Sequence, residues 1–147
     1  APEPPELEEM LALEQAEFEA LLEARAARSQ QTSTLADRFL ERWADSPMRP
    51  EVEAIALSAA MSDPTLDPVA LLARVDRWLS ANPKHPRFVE MHYLRATLLR
   101  DQLHDCQAAS VSYRVVIAMG SGALQEQSQR YLEACQQSRG GGERAAP

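Results

Sequence analysis

The segment RWADSPMRP, residues 42–50, recurs as RWLSANPKHP, residues 77–86, with one residue inserted. Trp43 and Trp78 are 35 residues apart, and Tyr113 follows Trp78 by another 35. A turn containing proline or glycine comes after each of these aromatic residues. Two helices of about 14 residues and their turns fill a period of this length, and such a hairpin must stack on a neighbour to bury its apolar face. The recurrence therefore predicts an all-α protein of stacked antiparallel helical hairpins.

The composition agrees with helix and excludes several classes of function. Ala, Leu, Glu, Gln and Arg abound while β-branched residues are sparse, which favours helix over sheet. Residues 1–119 contain no glycine, so glycine-rich phosphate loops and dinucleotide fingerprints are excluded there. The formal net charge of -7 argues against nucleic acid as a partner. No apolar run reaches the roughly 18–20 residues that cross a bilayer, so we predict no membrane span.

Proline and glycine turns divide the chain into about seven helices. Pro5 can open the first helix, and Asp67-Pro68 predicts a cap and a first turn for the fourth. The predicted segments are a flexible leader over 1–5, an acidic amphipathic helix over 6–30, a helical-repeat domain over 31–138 and a disordered tail over 139–147.

The N-terminal helix concentrates the negative charge. Residues 1–24 hold eight glutamates and no Lys or Arg. An apolar seam at helical spacing runs between these glutamates: Leu7, Met10, Leu11, Phe18, Leu21 and Leu22. Such a seam folds back on the repeats, self-associates or binds a partner. We expect part of it to remain available, with Phe18 and Leu21 contacting another chain.

The stretch that follows the second tryptophan resembles a repeat of the tetratricopeptide family. Its first helix carries Tyr93 and Ala96 at the large and small packing spacing of that family. Its second helix carries Ala109 and Tyr113 as the small residue and the aromatic residue. The resemblance implies a solenoid of helical hairpins that binds a peptide or a protein segment.

Some residues depart from the family pattern. His104 stands before Asp105 where these repeats often carry glycine, and Phe39 and Arg74 replace the small residue in the earlier copies. The resemblance covers about residues 34–137 and looks most like bacterial cell-envelope members of the family.

The family's concave face is lined by the first helix of each hairpin, here about 51–62, 86–103 and 123–138. Four polar residues on the middle one could meet a carboxylate or an acidic segment of a partner: Arg87, His92, Arg95 and Arg100. We therefore expect these four side chains to bind another protein or peptide.

The two cysteines lie at equal distances from one turn. The turn near residues 120–121 comes about 14 residues after Cys106 and about 14 before Cys135. In an antiparallel hairpin the two therefore lie at the same height. Either they are small buried core residues, or they form a disulfide in an oxidising compartment.

The sequence offers no catalytic or metal-binding pattern. The three histidines are separated in the sequence, and no G-x-S-x-G motif occurs. We therefore expect no catalytic residues, no bound metal and no cofactor.

These observations predict a non-catalytic scaffold or adaptor, possessing a helical-repeat surface and acting in a bacterial envelope assembly. The alternative is a structural homo-oligomerisation subunit that uses its N-terminal helix, and a small regulatory enzyme ranks last. The expected compartment is the bacterial periplasm or the membrane surface after processing, with the cytoplasm as the alternative.

Overall fold

The computed structural model describes residues 4–28 and 30–145, with the side chains of residues 6–28 and 30–137. Over these ranges the chain forms seven α-helices and no strand, which confirms the all-α prediction. The helices are α1 (Pro4–Ala26), α2 (Thr32–Arg42), α3 (Arg49–Ala60), α4 (Pro68–Ala81), α5 (Phe88–Asp101), α6 (Cys106–Met119) and α7 (Gly122–Ala145).

The first and last helices extend into the segments predicted as leader and tail. α1 begins at Pro4 and α7 runs to Ala145. Glycine weakens a helix by about 1 kcal/mol relative to alanine but keeps its backbone N–H, so consecutive glycines do not by themselves end α7. Residues 1–3 and 146–147 lie outside the described residues, and the disorder predicted for them stays a prediction.

Two aspartates fix the starts of helices. The carboxylate of Asp67 accepts a hydrogen bond from the Val69 backbone N at 3.1 Å, as the sequence predicted for α4. The carboxylate of Asp105 caps α6 in the same way, accepting from the Ala108 backbone N at 3.0 Å. His104, just before it, has a φ of 53°, the left-handed conformation that glycine adopts at low cost.

The helices fall into two compact units. The first unit ends at Ser62 and the second begins at Asp63. The boundary predicted between residues 30 and 31 therefore lies inside the first unit, because α1 packs against α2.

The first unit contains α1, α2 and α3. Phe18 and Phe39 bring their ring centroids to 6.1 Å across α1 and α2. Glu17 joins the same two helices, accepting from Trp43 Nε1 at 2.6 Å and from Arg42 Nη1 at 2.8 Å. Six buried residues form the hydrophobic core of the first unit: Leu21, Ala36, Phe39, Val52, Ile55 and Ala56.

The second unit contains α4, α5, α6 and α7, and Tyr113 lies at its centre. Ala96 of α5 and Ala109 of α6 are both fully buried in the cluster that holds Tyr113. Their small side chains let the two helices approach closely. Tyr93 and Tyr131 complete the cluster, with ring centroids 6.2 and 5.6 Å from that of Tyr113.

The recurring aromatic residues are buried to different degrees. Tyr113 is 0% exposed and Trp78 is 3% exposed, whereas Trp43 is only half-buried. The prediction of a buried aromatic residue is thus confirmed for Trp78 and holds only in part for Trp43.

Trp78→Ala tests this difference. Truncating the indole is expected to lower the free energy of unfolding by about 3–5 kcal/mol, the usual cost for a buried aromatic residue. Trp43→Ala is the comparison and should cost less, because its ring already contacts solvent. Guanidinium unfolding followed by far-UV circular dichroism measures both. A loss below about 1 kcal/mol for Trp78→Ala would contradict its place in the core.

Candidate functional site

The four polar residues predicted to meet a partner lie along α5 or just before it, in the second unit. Each makes contacts inside that unit. The hydrogen bonds and ion pairs of each side chain therefore decide whether it is available to a partner.

Arg95 links three helices. Its Nε donates to Asp76 Oδ1 of α4 at 2.7 Å, and its Nη1 donates to Ser112 Oγ of α6 at 2.9 Å. The side chain is 21% exposed, and its carboxylate partner is 47% exposed. An ion pair this open to solvent is worth at most about 1 kcal/mol, so Arg95 orients helices more than it stabilises them.

His92 shares the hydroxyl that Arg95 contacts. Its Nδ1 lies 3.1 Å from Ser112 Oγ, and its ring packs edge-on against Phe88 with centroids 4.7 Å apart. Since Arg95 donates to that oxygen, the Ser112 hydroxyl is able to donate its own proton to a neutral imidazole. Burial, and then the nearby Arg95 charge, lower the pKa of His92, while Asp76 opposes them.

Arg100 is held by a carboxylate and by two tyrosines. Its Nε and Nη2 donate to the two carboxylate oxygens of Asp101 at 2.7 and 3.0 Å. Its Nη1 donates to the Tyr113 hydroxyl at 2.9 Å, and its guanidinium carbon lies 3.5 Å from the Tyr131 ring centroid. Burial raises the pKa of Tyr113 to about 12, and the Arg100 charge acts against that rise.

Arg87 is paired within its own turn. Its Nη1 donates to Glu90 Oε2 at 2.9 Å, and its backbone N donates to His85 Nδ1 at 3.0 Å. All three predicted arginines thus already have a carboxylate inside the unit. Contact of this group with a partner stays a prediction, and any partner would compete with these pairs.

The His92–Ser112 pair does not form an accessible nucleophilic site. Ser112 is 0% exposed, so a substrate has no route to its hydroxyl. Within the part of the chain that the structure describes, no group of three His, Cys, Asp or Glu residues is placed to hold a metal ion.

The two α1 residues predicted to bind a partner belong to the first unit's core. Leu21 is 0% exposed within this unit, and its contact with another chain stays a prediction. Phe18 is half-buried and packs against the same cluster. The physical reason is that the second half of α1 folds back, fixed by the Glu17 hydrogen bonds to Trp43 and Arg42.

The first half of α1 is different, because it exposes large apolar side chains. Leu7, Met10 and Leu11 are 45, 47 and 55% exposed, and they lie on the same stripe as Phe18 and Leu21. α1 has 23 residues and α2 has 11, so by helical rise they span about 34 and 16 Å. The shorter helix covers only half of the apolar stripe.

Cys106 and Cys135 are joined by a disulfide between α6 and α7, with their Cα atoms 5.4 Å apart. The hairpin argument from the sequence placed them correctly side by side. An open cleft of about 240 Å³ lies beside the disulfide, and both cysteines line it. Its other lining residues are polar: Gln107, Ser110, Arg114 and Gln136.

Comparison with known proteins gives no relative for this chain: no family model, no curated protein and no solved structure matches it. Among the described residues, no helix combines the length and the apolar character required to cross a membrane.

Sequence reasoning missed the partners of the polar residues. Asp76, Ser112 and Glu17 carry no motif, and each contacts a residue 17 to 26 positions away in the sequence. The helix lengths alone could have shown that α2 covers only half of the α1 stripe.

The lowered pKa of His92 predicts that acid destabilises the protein. The folded state binds the proton less readily than the unfolded state, so stability is complete above the unfolded pKa near 6.5 and decreases as the pH falls through it. His92→Gln, which retains a hydrogen-bonding group for Ser112, should remove part of this dependence. Guanidinium midpoints between neutral and mildly acidic pH measure it, and identical slopes for both proteins would contradict the assignment.

The disulfide closes a loop with a sequence separation of 29 residues. Loop-closure entropy predicts that reduction lowers the free energy of unfolding by about 3–4 kcal/mol. Unfolding with and without a reductant measures this loss in the wild-type protein. Cys106→Ser is the control, because its stability should no longer respond to the reductant; a response of equal size would assign the effect to something other than the disulfide.

Proposed function

We propose that this chain is a non-catalytic protein-interaction module that binds another protein through the first half of α1. One observation carries the proposal: Leu7, Met10 and Leu11 form an exposed apolar stripe at the end of a helix whose other half is docked. Contiguous exposed apolar side chains with polar neighbours are typical of protein-binding surfaces.

The charges beside the stripe define the partner's chemistry. Glu6, Glu8, Glu9 and Glu14 flank the apolar residues, and residues 1–24 contain no Lys or Arg. Electrostatic complementarity favours a partner that offers apolar groups among basic side chains. An amphipathic helix with a basic border meets both requirements.

We also propose that the second unit has a tetratricopeptide-like arrangement. Three residues buried in one cluster support it: Ala96 of α5, and Ala109 and Tyr113 of α6. These are the small and aromatic positions on which the resemblance depends. Such a unit is a rigid scaffold, and its α5 polar residues act mainly in holding helices together.

The proposed setting is an assembly of the bacterial cell envelope. The Cys106–Cys135 disulfide supports an oxidising compartment, where such bonds persist. The resemblance to envelope members of the tetratricopeptide family supports the same setting.

A synthetic amphipathic helix with a leucine seam and lysine borders tests the α1 surface. The full chain should bind this peptide in fluorescence anisotropy and should bind the same peptide with glutamate borders far more weakly. Leu11→Glu should weaken binding about tenfold or more, because it places a charge in the apolar contact.

Ala12→Glu is the matched control, since Ala12 is exposed and points about 100° away from its neighbour around the helix. It adds the same charge and should leave the affinity within about twofold of the wild-type value. Equal affinities for the wild-type protein and Leu11→Glu would refute the proposed function.

A further inference from the structure

One face of α4 in the second unit is exposed and basic. Arg74 and Arg77 are exposed on α4, and Lys84 is exposed in the turn that follows the helix. The structure gives these three cations no ion pair or hydrogen bond to any described residue. They differ in this respect from the arginines of α5.

The same face has an apolar end. Leu66, just before α4, and Val69, in its first turn, are 38 and 60% exposed. Ala70 and Ala73 are also exposed and lie between Val69 and the two arginines. The surface thus combines apolar side chains with basic ones that have no partner in the described part of the chain. It offers the chemistry that the acidic, apolar stripe of α1 requires.

A symmetric pairing of two α1 helices does not offer this chemistry. It would bring together two segments that each hold eight glutamates and no Lys or Arg. Like charges along a helix contact oppose association at neutral pH.

We propose that the partner of the α1 stripe is a second copy of this chain, which receives it on the α4 face that carries Val69, Arg74 and Arg77, with Leu66 just before that helix. The proposal rests on the proposed function, because it names the occupant of the same α1 surface. Each copy carries both surfaces, so two copies make this contact either reciprocally, in a two-fold dimer, or through head-to-tail contacts. Such contacts produce rings when the rotation closes and open chains when it does not.

Sedimentation velocity on the full chain tests the contact from micromolar to millimolar concentration. The mean mass should rise with concentration at low salt and fall when salt is added, because screening weakens an exposed contact between opposite charges. An α1–α1 pairing would respond to salt in the opposite direction.

The double variant Arg74→Glu, Arg77→Glu should weaken self-association about tenfold or more, since it replaces two attractive pairs with two repulsive ones. Arg114→Glu, Arg130→Glu is the matched control. It changes the net charge equally at two exposed arginines of the same unit, on α6 and α7, and should leave self-association nearly unchanged.

A charge swap identifies the two surfaces together. Glu8→Arg, Glu9→Arg alone should also weaken self-association. Adding these two changes to Arg74→Glu, Arg77→Glu should restore association to near the wild-type level. A quadruple variant that stays as weak as either double variant would overturn the pairing of α1 with α4.

The outcomes separate this inference from the function on which it rests. If the chain remains monomeric at every concentration but binds the lysine-bordered helix through Leu11, the proposed self-association is refuted. The proposed function as an interaction module is then still supported. Self-association that is lost in Leu11→Glu but unchanged in Arg74→Glu, Arg77→Glu overturns the α4 surface alone. A chain that binds neither itself nor the peptide overturns both.

Discussion

The side chain of Tyr113 has no contact with solvent. The packing of α5, α6 and α7 depends on the burial of this ring. Two buried alanines, Ala96 and Ala109, let α5 and α6 approach beside its ring, while Tyr131 covers it from α7. Its hydroxyl still requires a partner in this environment, and Arg100 supplies one at 2.9 Å. The buried ring of Tyr113 therefore determines the spacing of the helices. It also gives Arg100 a role inside the unit, as the hydrogen-bond donor to the buried hydroxyl.

The arginines of α5 and α4 differ in whether they have partners among the described residues of their unit. On α5, Arg95 and Arg100 are paired with carboxylates and hydroxyls of their own unit. On α4, Arg74 and Arg77 have no such pairs. A polar residue facing the interior of a helical unit must be satisfied there, whereas one on an outer face stays open to other molecules. Sequence position alone does not separate the two groups, since all four lie on helices of similar composition.

The sequence allowed the helices and the cysteine pair to be predicted, because both depend on local rules. Prolines mark helix boundaries through their missing N–H, and a hairpin turn at Gly120 places Cys106 opposite Cys135 by counting alone. The partners of Arg95 and His92 could not be predicted, because Ser112 and Asp76 approach them only after three helices have packed. The burial of Leu21 depends likewise on how far α2 reaches along α1.

The 35-residue recurrence in the sequence places three different side chains at one position. Positions 39, 74 and 109 are equivalent in the 35-residue recurrence, each four residues before the recurring aromatic residue. Ala109 is buried where α6 meets α5, and Phe39 is buried in the first unit's core. Arg74 stands at the same position but is exposed. A long charged side chain is costly to bury, so Arg74 stays at the surface of its unit. Together with Arg77 it makes one face of α4 basic, which is the charge that the acidic α1 stripe of a second copy requires in the proposed contact.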